Sequence, residues 1–171
     1  TEDKAQVVAL MQDFLKRYPN AGDVRAAYAR VLVNRKEYVA ARREFELLVK
    51  AQPDNAAHLY ALGILATQMN DAPGAEIYFT RFVEVLGRNP EDERDPSRAL
   101  LILSQLAEER GDLVGALQWL DKVPENTDPQ TRFNTQLRRA HVVGKGGDLA
   151  SARRLLNEIK PEEPARQAQV M

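Results

Sequence analysis

The chain has 171 residues, 44% apolar and 29% charged, with 24 basic against 25 acidic side chains. Such a composition suits one folded domain or a short repeat array and argues against disorder, and a formal charge of −1 provides no field for nucleic acid or anionic lipid. The absence of cysteine removes disulfides, thiolate metal sites and cysteine nucleophiles together, and no apolar run approaches the roughly eighteen residues needed to cross a bilayer.

Apolar residues at helical spacing predict a first helix over Asp3–Arg17, with Val7, Val8, Met11, Phe14 and Leu15 on one stripe and Tyr18-Pro19 as its stop. A helix pair follows, Gly22–Asn34 (Val24, Tyr28, Val31, Leu32) and Glu37–Ala51 (Tyr38, Ala41, Phe45, Leu48, Val49), closed by Pro53. The next pair is Ala56–Asn70 (Leu59, Leu62, Gly63, Ala66) and Pro73–Leu86 (Ala75, Ile77, Phe79, Phe82, Val83). Pro73 is acceptable there because a first-turn N–H has no intrahelical partner to lose. Gly87 reads as a breaker and Gly87–Pro96 as an insertion. Asp95-Pro96, an N-cap followed by proline, opens a helix to Arg110 whose partner is Leu113–Val123. Asp128-Pro129 repeats the signal for a helix to Val143, paired with Asp148–Ile159, and the tail from Pro161 reads as a linker or the start of another unit.

The pairs repeat. Ala29, Ala41 and Phe45 recur 34 residues later as Gly63, Ala75 and Phe79, while Tyr28 maps to Leu62, Leu48 to Phe82 and Pro53 to Gly87. The spacing stretches to 41 between Ala75 and Ala116, and Gly111-Asp112-Leu113 returns 36 residues on at Gly147. A period of this size is the mark of stacked helix pairs, none of which can bury its apolar face alone. Close helix crossings explain the small residues Ala29, Ala41, Gly63, Ala75, Ala116, Ala140 and Ala152, and Tyr38, Phe45, Phe79, Leu120 and Leu156 are expected to fill the adjoining space. The expected organisation is the second helix of a truncated repeat (1–19), repeats at 20–53 and 54–87, an inserted loop (88–96), repeats at 97–127 and 128–160, and a tail (161–171). Opening without an initiator Met and closing on Gln169-Val170-Met171, the sequence reads as a piece of a longer array, with any anchor, targeting signal or catalytic domain elsewhere.

Leu62-Gly63, the short turn Gly111-Asp112, Ala116, Leu120 and the closing Pro53 resemble the tetratricopeptide repeat over essentially the whole chain. Repeats three and four depart from it in their spacing and in lacking Gly after the first-helix leucine. The resemblance implies an all-α superhelical solenoid that acts as a non-catalytic scaffold or adaptor, binding another protein or peptide segment through its concave groove. Ser104 to Glu108, Gly111-Asp112 and Ala116-Leu117-Gln118-Trp119 are similar to repeats of long outer-membrane lipoproteins of Gram-negative bacteria, some of which are adaptors for carboxy-terminal processing proteases. That similarity implies a periplasmic place, outer-membrane anchoring through a missing N-terminus, and recruitment of such a protease. The alternatives are the regulatory or substrate-recruiting array of a larger enzyme, and a self-assembly module.

Projected onto the groove, the first helices offer Arg30 and Val33, then Tyr60, Ile64 and Thr67, then Arg98, Leu101, Ile102 and Gln105, and last Asn134, Arg138 and His141. Apolar anchors beside arginines suit an amphipathic partner segment carrying some acidic residues. Where the carboxylate-clamp subclass of the resembled family has Lys and Asn on successive first helices, this sequence has Ala26, Arg30, Ala61 and Ile102, so a terminal-carboxylate clamp is not expected. His58 and His141 read as surface groups, too far apart for a shared metal. Arg138, Arg139, Lys145, Arg153 and Arg154 read as a solvated basic face offset by Glu158, and Trp119 as packing. Glu91, Asp92, Glu93 and Asp95 lack the ligand order of a calcium loop, and Gly144-Lys145-Gly146-Gly147 lacks the strand and following Ser or Thr of a phosphate loop. No nucleophile and base, cofactor loop or metal set can be assembled, so no catalytic residue, cofactor, nucleic-acid partner or direct membrane contact is expected.

Overall fold

The computed structural model describes residues 2–159, and the described residues form nine α-helices and no strand. They fall into two compact units that divide between Asp92 and Glu93. Unit 1 holds α1 (Glu2–Arg17), α2 (Gly22–Asn34), α3 (Tyr38–Ala51), α4 (Ala56–Gln68) and α5 (Ala72–Arg88). Unit 2 holds α6 (Ser97–Glu109), α7 (Leu113–Asp121), α8 (Pro129–Lys145) and α9 (Leu149–Glu158). In unit 1 the pairs are α2 with α3 and α4 with α5, α3 also resting on α4 and α1 on α2; in unit 2 they are α6 with α7 and α8 with α9, joined by α7 against α8. This is an all-α solenoid, each first helix followed by its antiparallel second helix.

The same device closes every pair. One residue takes a left-handed conformation between first and second helix: Lys36 (φ 61°), Asn70 (φ 55°), Gly111 (φ 85°) and Gly147 (φ 97°). Its successor then donates its N–H back across the last turn, Glu37 to Leu32 at 2.9 Å, Asp71 to Ala66 at 2.9 Å, Asp112 to Ala107 at 2.8 Å and Asp148 to Val143 at 3.3 Å. These are Schellman closures, which satisfy carbonyls that a helix end leaves orphaned. The following Asp doubles as N-cap of the second helix in three pairs, accepting from Gly74, Gly115 and Ser151 at 3.0, 2.8 and 2.9 Å. Lysine pays a steric cost at positive φ that glycine avoids. Lys36→Gly is therefore expected to stabilise unit 1 by about 0.5–1 kcal/mol, read as a later denaturant midpoint at unchanged slope.

The small positions are crossing points. Ala29, Ala41, Ala66, Ala75 and Ala116 are fully buried, and a Cβ on Gly63 would meet the Phe79 ring at 2.6 Å. By the same register Ser104, also buried, is the third pair's counterpart of Gly63, opposite Leu120 rather than Phe79. Three expectations change. Gly87 does not break α5, which runs on to Arg88; the helix stops at Asn89 because Pro90 disfavours helical backbone in the residue before it. Pro96, not Asp95, is the N-cap of α6, and Asp95 Oδ1 instead accepts from the Ser97 N–H at 2.9 Å. Leu156 is 48% exposed rather than filling a crossing, since α9 packs on α8 and no further helix lies on it among the described residues. The tail from Pro161 lies outside the described residues.

Candidate functional site

Each unit carries a cavity on its first helices. In unit 1, a space of about 720 Å³ is bounded by Arg30 and Val33 from α2, Tyr38 and Phe45 from α3, and Tyr60 and Ile64 from α4. Four of the expected groove residues of this unit, Arg30, Val33, Tyr60 and Ile64, thus converge. Thr67 does not; it is exposed, and its hydroxyl donates to the Gly63 carbonyl at 3.0 Å, the usual retreat of a helical threonine. Tyr60 is only half available, because its ring lies 5.7 Å from Phe79 and 5.1 Å from Phe82 and so belongs partly to the core between α4 and α5. Arg30 is exposed over this cavity, whereas Arg25, Arg35, Arg42 and Arg88 of the same unit each lie on a carboxylate.

His58 is not the surface group that spacing suggested. It lines the cavity, its ring is 6.1 Å from that of Phe45, and its Nδ1 is buried without a hydrogen-bond partner. Burial, and then the charge of Arg30, push its pKa below the usual imidazole range, so the ring is neutral at pH 7.

In unit 2, a space of about 580 Å³ is bounded by Arg98, Leu101 and Gln105 from α6 and by Asn134, Arg138 and His141 from α8. Ile102 and Leu137 complete its apolar surface. All the groove residues expected in this half of the chain therefore meet around one space. Behind it lies a residue that pattern reading missed. Glu108, buried on α6, accepts from Arg138 at 3.0 Å and Lys145 at 3.1 Å and lies 3.1 Å from His141 Nε2. The three partners sit at i, i+3 and i+7 on one face of α8, a visible signal for a buried counter-charge. Burial raises the Glu108 pKa, but the Lys145 hydrogen bond, the Arg138 charge and the His141 contact together outweigh it and leave the carboxyl below its usual range. Of the basic cluster, Arg138 and Lys145 thus lie on Glu108 and Arg139 on Asp121 at 2.6 Å, while Arg154 donates to the Ser151 hydroxyl. Trp119 packs on Ala107, Ala116 and Val142, with Lys122 Nζ 4.5 Å above its ring.

The remaining candidates hold no built site. Arg88 of the insertion pairs with Asp54 at 3.1 Å, and among the described residues no three His, Asp or Glu side chains converge as metal ligands. Both cavities can accept apolar side chains on aliphatic or aromatic walls, with arginine as the charge on offer and, among the described residues, no carboxylate on either lining.

Family models described as tetratricopeptide repeat match residues 3–66 and residues 60–130. No curated protein matches the chain in sequence. Among solved structures, the chain is similar to YrrB, described as a TPR protein with an unusual peptide-binding site, at 20% identity and a TM-score of 0.72 over 99% of this chain and 85% of that one. It is also similar to MamA from Desulfovibrio magneticus RS-1, at 15% identity and a TM-score of 0.67 over 91% and 82%, and to BtubC (BKLC) from P. vanneervenii, at 17% identity and a TM-score of 0.63 over 94% and 77%. At these identities the likeness is one of fold.

Proposed function

Because the chain belongs to the tetratricopeptide repeat family, we propose that it is a non-catalytic protein-interaction scaffold that holds a segment of a partner polypeptide on the face of its first helices. The observation that carries this reading is the convergence of side chains: Arg30, Val33, Tyr60 and Ile64 around one space, and Arg98, Leu101, Gln105, Arg138 and His141 around another. Side chains already held by packing and by the Glu108 ion pairs present a surface without a large ordering cost at binding. A peptide-binding site on the similar structure of YrrB is consistent with such a use of the fold. The finer reading, an adaptor that recruits a carboxy-terminal processing protease in the periplasm, is supported by the local likeness of residues 104–119 to lipoprotein repeats.

Affinity capture tests the proposal. The parent chain is compared with a variant carrying Ile64→Ser, Arg98→Ser and Leu101→Ser, which spares Tyr60 because its ring supports Phe79 and Phe82. A protein retained by the parent and lost by the folded variant is the expected result, and a processing protease among such proteins would support the adaptor reading. Equal retention by both would overturn the assignment of this face.

Self-association has one observation in its favour. On α1, Val7, Leu10, Phe14 and Tyr18 lie 44%, 69%, 42% and 57% exposed along or just beyond one stripe. Sedimentation across a concentration range tests this reading, since a mass that does not change with concentration would remove it.

A further inference from the structure

We propose that the unit 1 cavity is a subsite for a bulky apolar side chain with a carboxylate next to it on the partner segment, the apolar group lying on Tyr38, Tyr60 and Ile64 and the carboxylate taken by Arg30. The inference rests on the reading above that this face holds a partner segment, and it adds the chemistry of what is held. Three features lead to it. The space, about 720 Å³, admits a large side chain and part of its backbone, and its walls are aromatic and aliphatic. Among the described residues, Arg30 is the one formal charge on the lining, while four other arginines of the unit are already committed to Glu44, Glu37, Glu46 with Asp71, and Asp54. A guanidinium kept off every described carboxylate at the rim of an apolar space is matched by an anion, because a charge-assisted, bidentate contact gains strength where water is partly excluded. Asn34 and Gln68 on the same lining supply neutral donors and acceptors for the backbone of the segment. A segment carrying lysine beside its apolar residue would meet Arg30 as a like charge.

The test is a titration of the whole chain with acetyl-Ala-Phe-Asp-Ala-amide, and with peptides replacing Asp by Asn or Lys or Phe by Ala, followed by proton NMR. The ring signals of His58 and Tyr60 report occupancy, and a His58→Gln variant distinguishes the His58 signal from that of His141. The Asp peptide is expected to bind at least ten-fold more tightly than the Lys peptide, to move the His58 signal, and to lose most of its affinity when Phe becomes Ala. Arg30→Gln should abolish the difference between the Asp and Lys peptides and Arg30→Lys should restore part of it, with the thermal unfolding midpoint of both variants unchanged because Arg30 is exposed. Equal affinity of the Asp and Lys peptides, or binding that leaves His58 unmoved, would overturn the proposal. So would failure of any peptide to bind. In each of those cases, a captured protein still lost by the Ile64→Ser, Arg98→Ser, Leu101→Ser variant would show that the face binds by a different chemistry.

Discussion

Gly63→Ala is expected to destabilise unit 1 by about 1–3 kcal/mol, although the same substitution at an open helical site would stabilise by nearly 1 kcal/mol. The reversal comes from Phe79. An added Cβ would lie 2.6 Å from its ring, and that ring is completely buried, with the Tyr60 ring packed 5.7 Å away. The ring can move only by disturbing the packing of α4 on α5. The chain contains its own remedy, because the register that places Gly63 opposite Phe79 places Ser104 opposite Leu120, a larger residue facing a smaller one. Gly63→Ser should cost at least as much as Gly63→Ala, and adding Phe79→Leu should recover about half or more of that loss. The two changes are thus coupled by about 0.5–3 kcal/mol. Amide exchange of α2–α5 is the readout, since the only Trp, Trp119, lies in unit 2. Strict additivity of the single changes would show that the two side chains do not limit each other.

Glu108→Gln should be the most damaging conservative change in unit 2, costing about 2–4 kcal/mol, because removing one member of a buried charge cluster leaves the others uncompensated. The expected loss falls toward the lower end of that range. His141 and Lys145 are 65% and 49% exposed and can turn to water, whereas Arg138, 25% exposed with a buried Nε lacking a partner, cannot. The pH dependence follows from the lowered Glu108 pKa. A carboxyl whose folded pKa lies below its unfolded value of about 4.5 contributes stability that is fully present above that value and is lost as pH falls through the folded one. The parent should therefore lose stability in unit 2 below about pH 5 more steeply than Glu108→Gln, which has no proton to take up. Denaturant unfolding followed by Trp119 fluorescence at pH 7 and pH 4 checks both points. A variant as stable as the parent at pH 7 would mean that Arg138, His141 and Lys145 hold α8 in place without Glu108.

Most of the architecture was legible because helix pairs leave two independent traces in a sequence. One is the 3.6-residue spacing of apolar side chains, clear in α3, α5, α6 and α9 and faint in α4, which is apolar nearly all round. The other is the return of small residues at the crossings, Ala29 to Gly63 and Ala41 to Ala75, which survives changes in every exposed position. The left-handed turn residue is plainest where it is Gly111 or Gly147 and weaker where it is Asn70, since asparagine shares the left-handed preference to a lesser degree, whereas Lys36 occupies the equivalent place without any propensity that marks it. Ser104 was passed over for the same reason: in a sequence it is a polar residue in a helix, and only burial shows it to be the third pair's crossing point.

The candidate site was legible as a set of positions and not as an environment. Helical spacing could say that Arg30, Tyr60 and Ile64 in unit 1, and Arg98 and Leu101 in unit 2, belong to the exposed rows of their first helices, because that depends on register alone. Register could not say that Tyr60 is half committed to Phe79 and Phe82, that His58 is drawn inward against Phe45, or that Arg138, His141 and Lys145 close on Glu108, because each of these depends on which side chains a neighbouring helix brings within a few ångströms. The repeat period, the helices and the all-α class were thus determined by the sequence itself, through local backbone preference and apolar periodicity. Which arginines are spent on carboxylates and which, like Arg30, are left at the mouth of a cavity was decided only by tertiary packing, since ion pairing and burial are properties of distance and not of order along the chain.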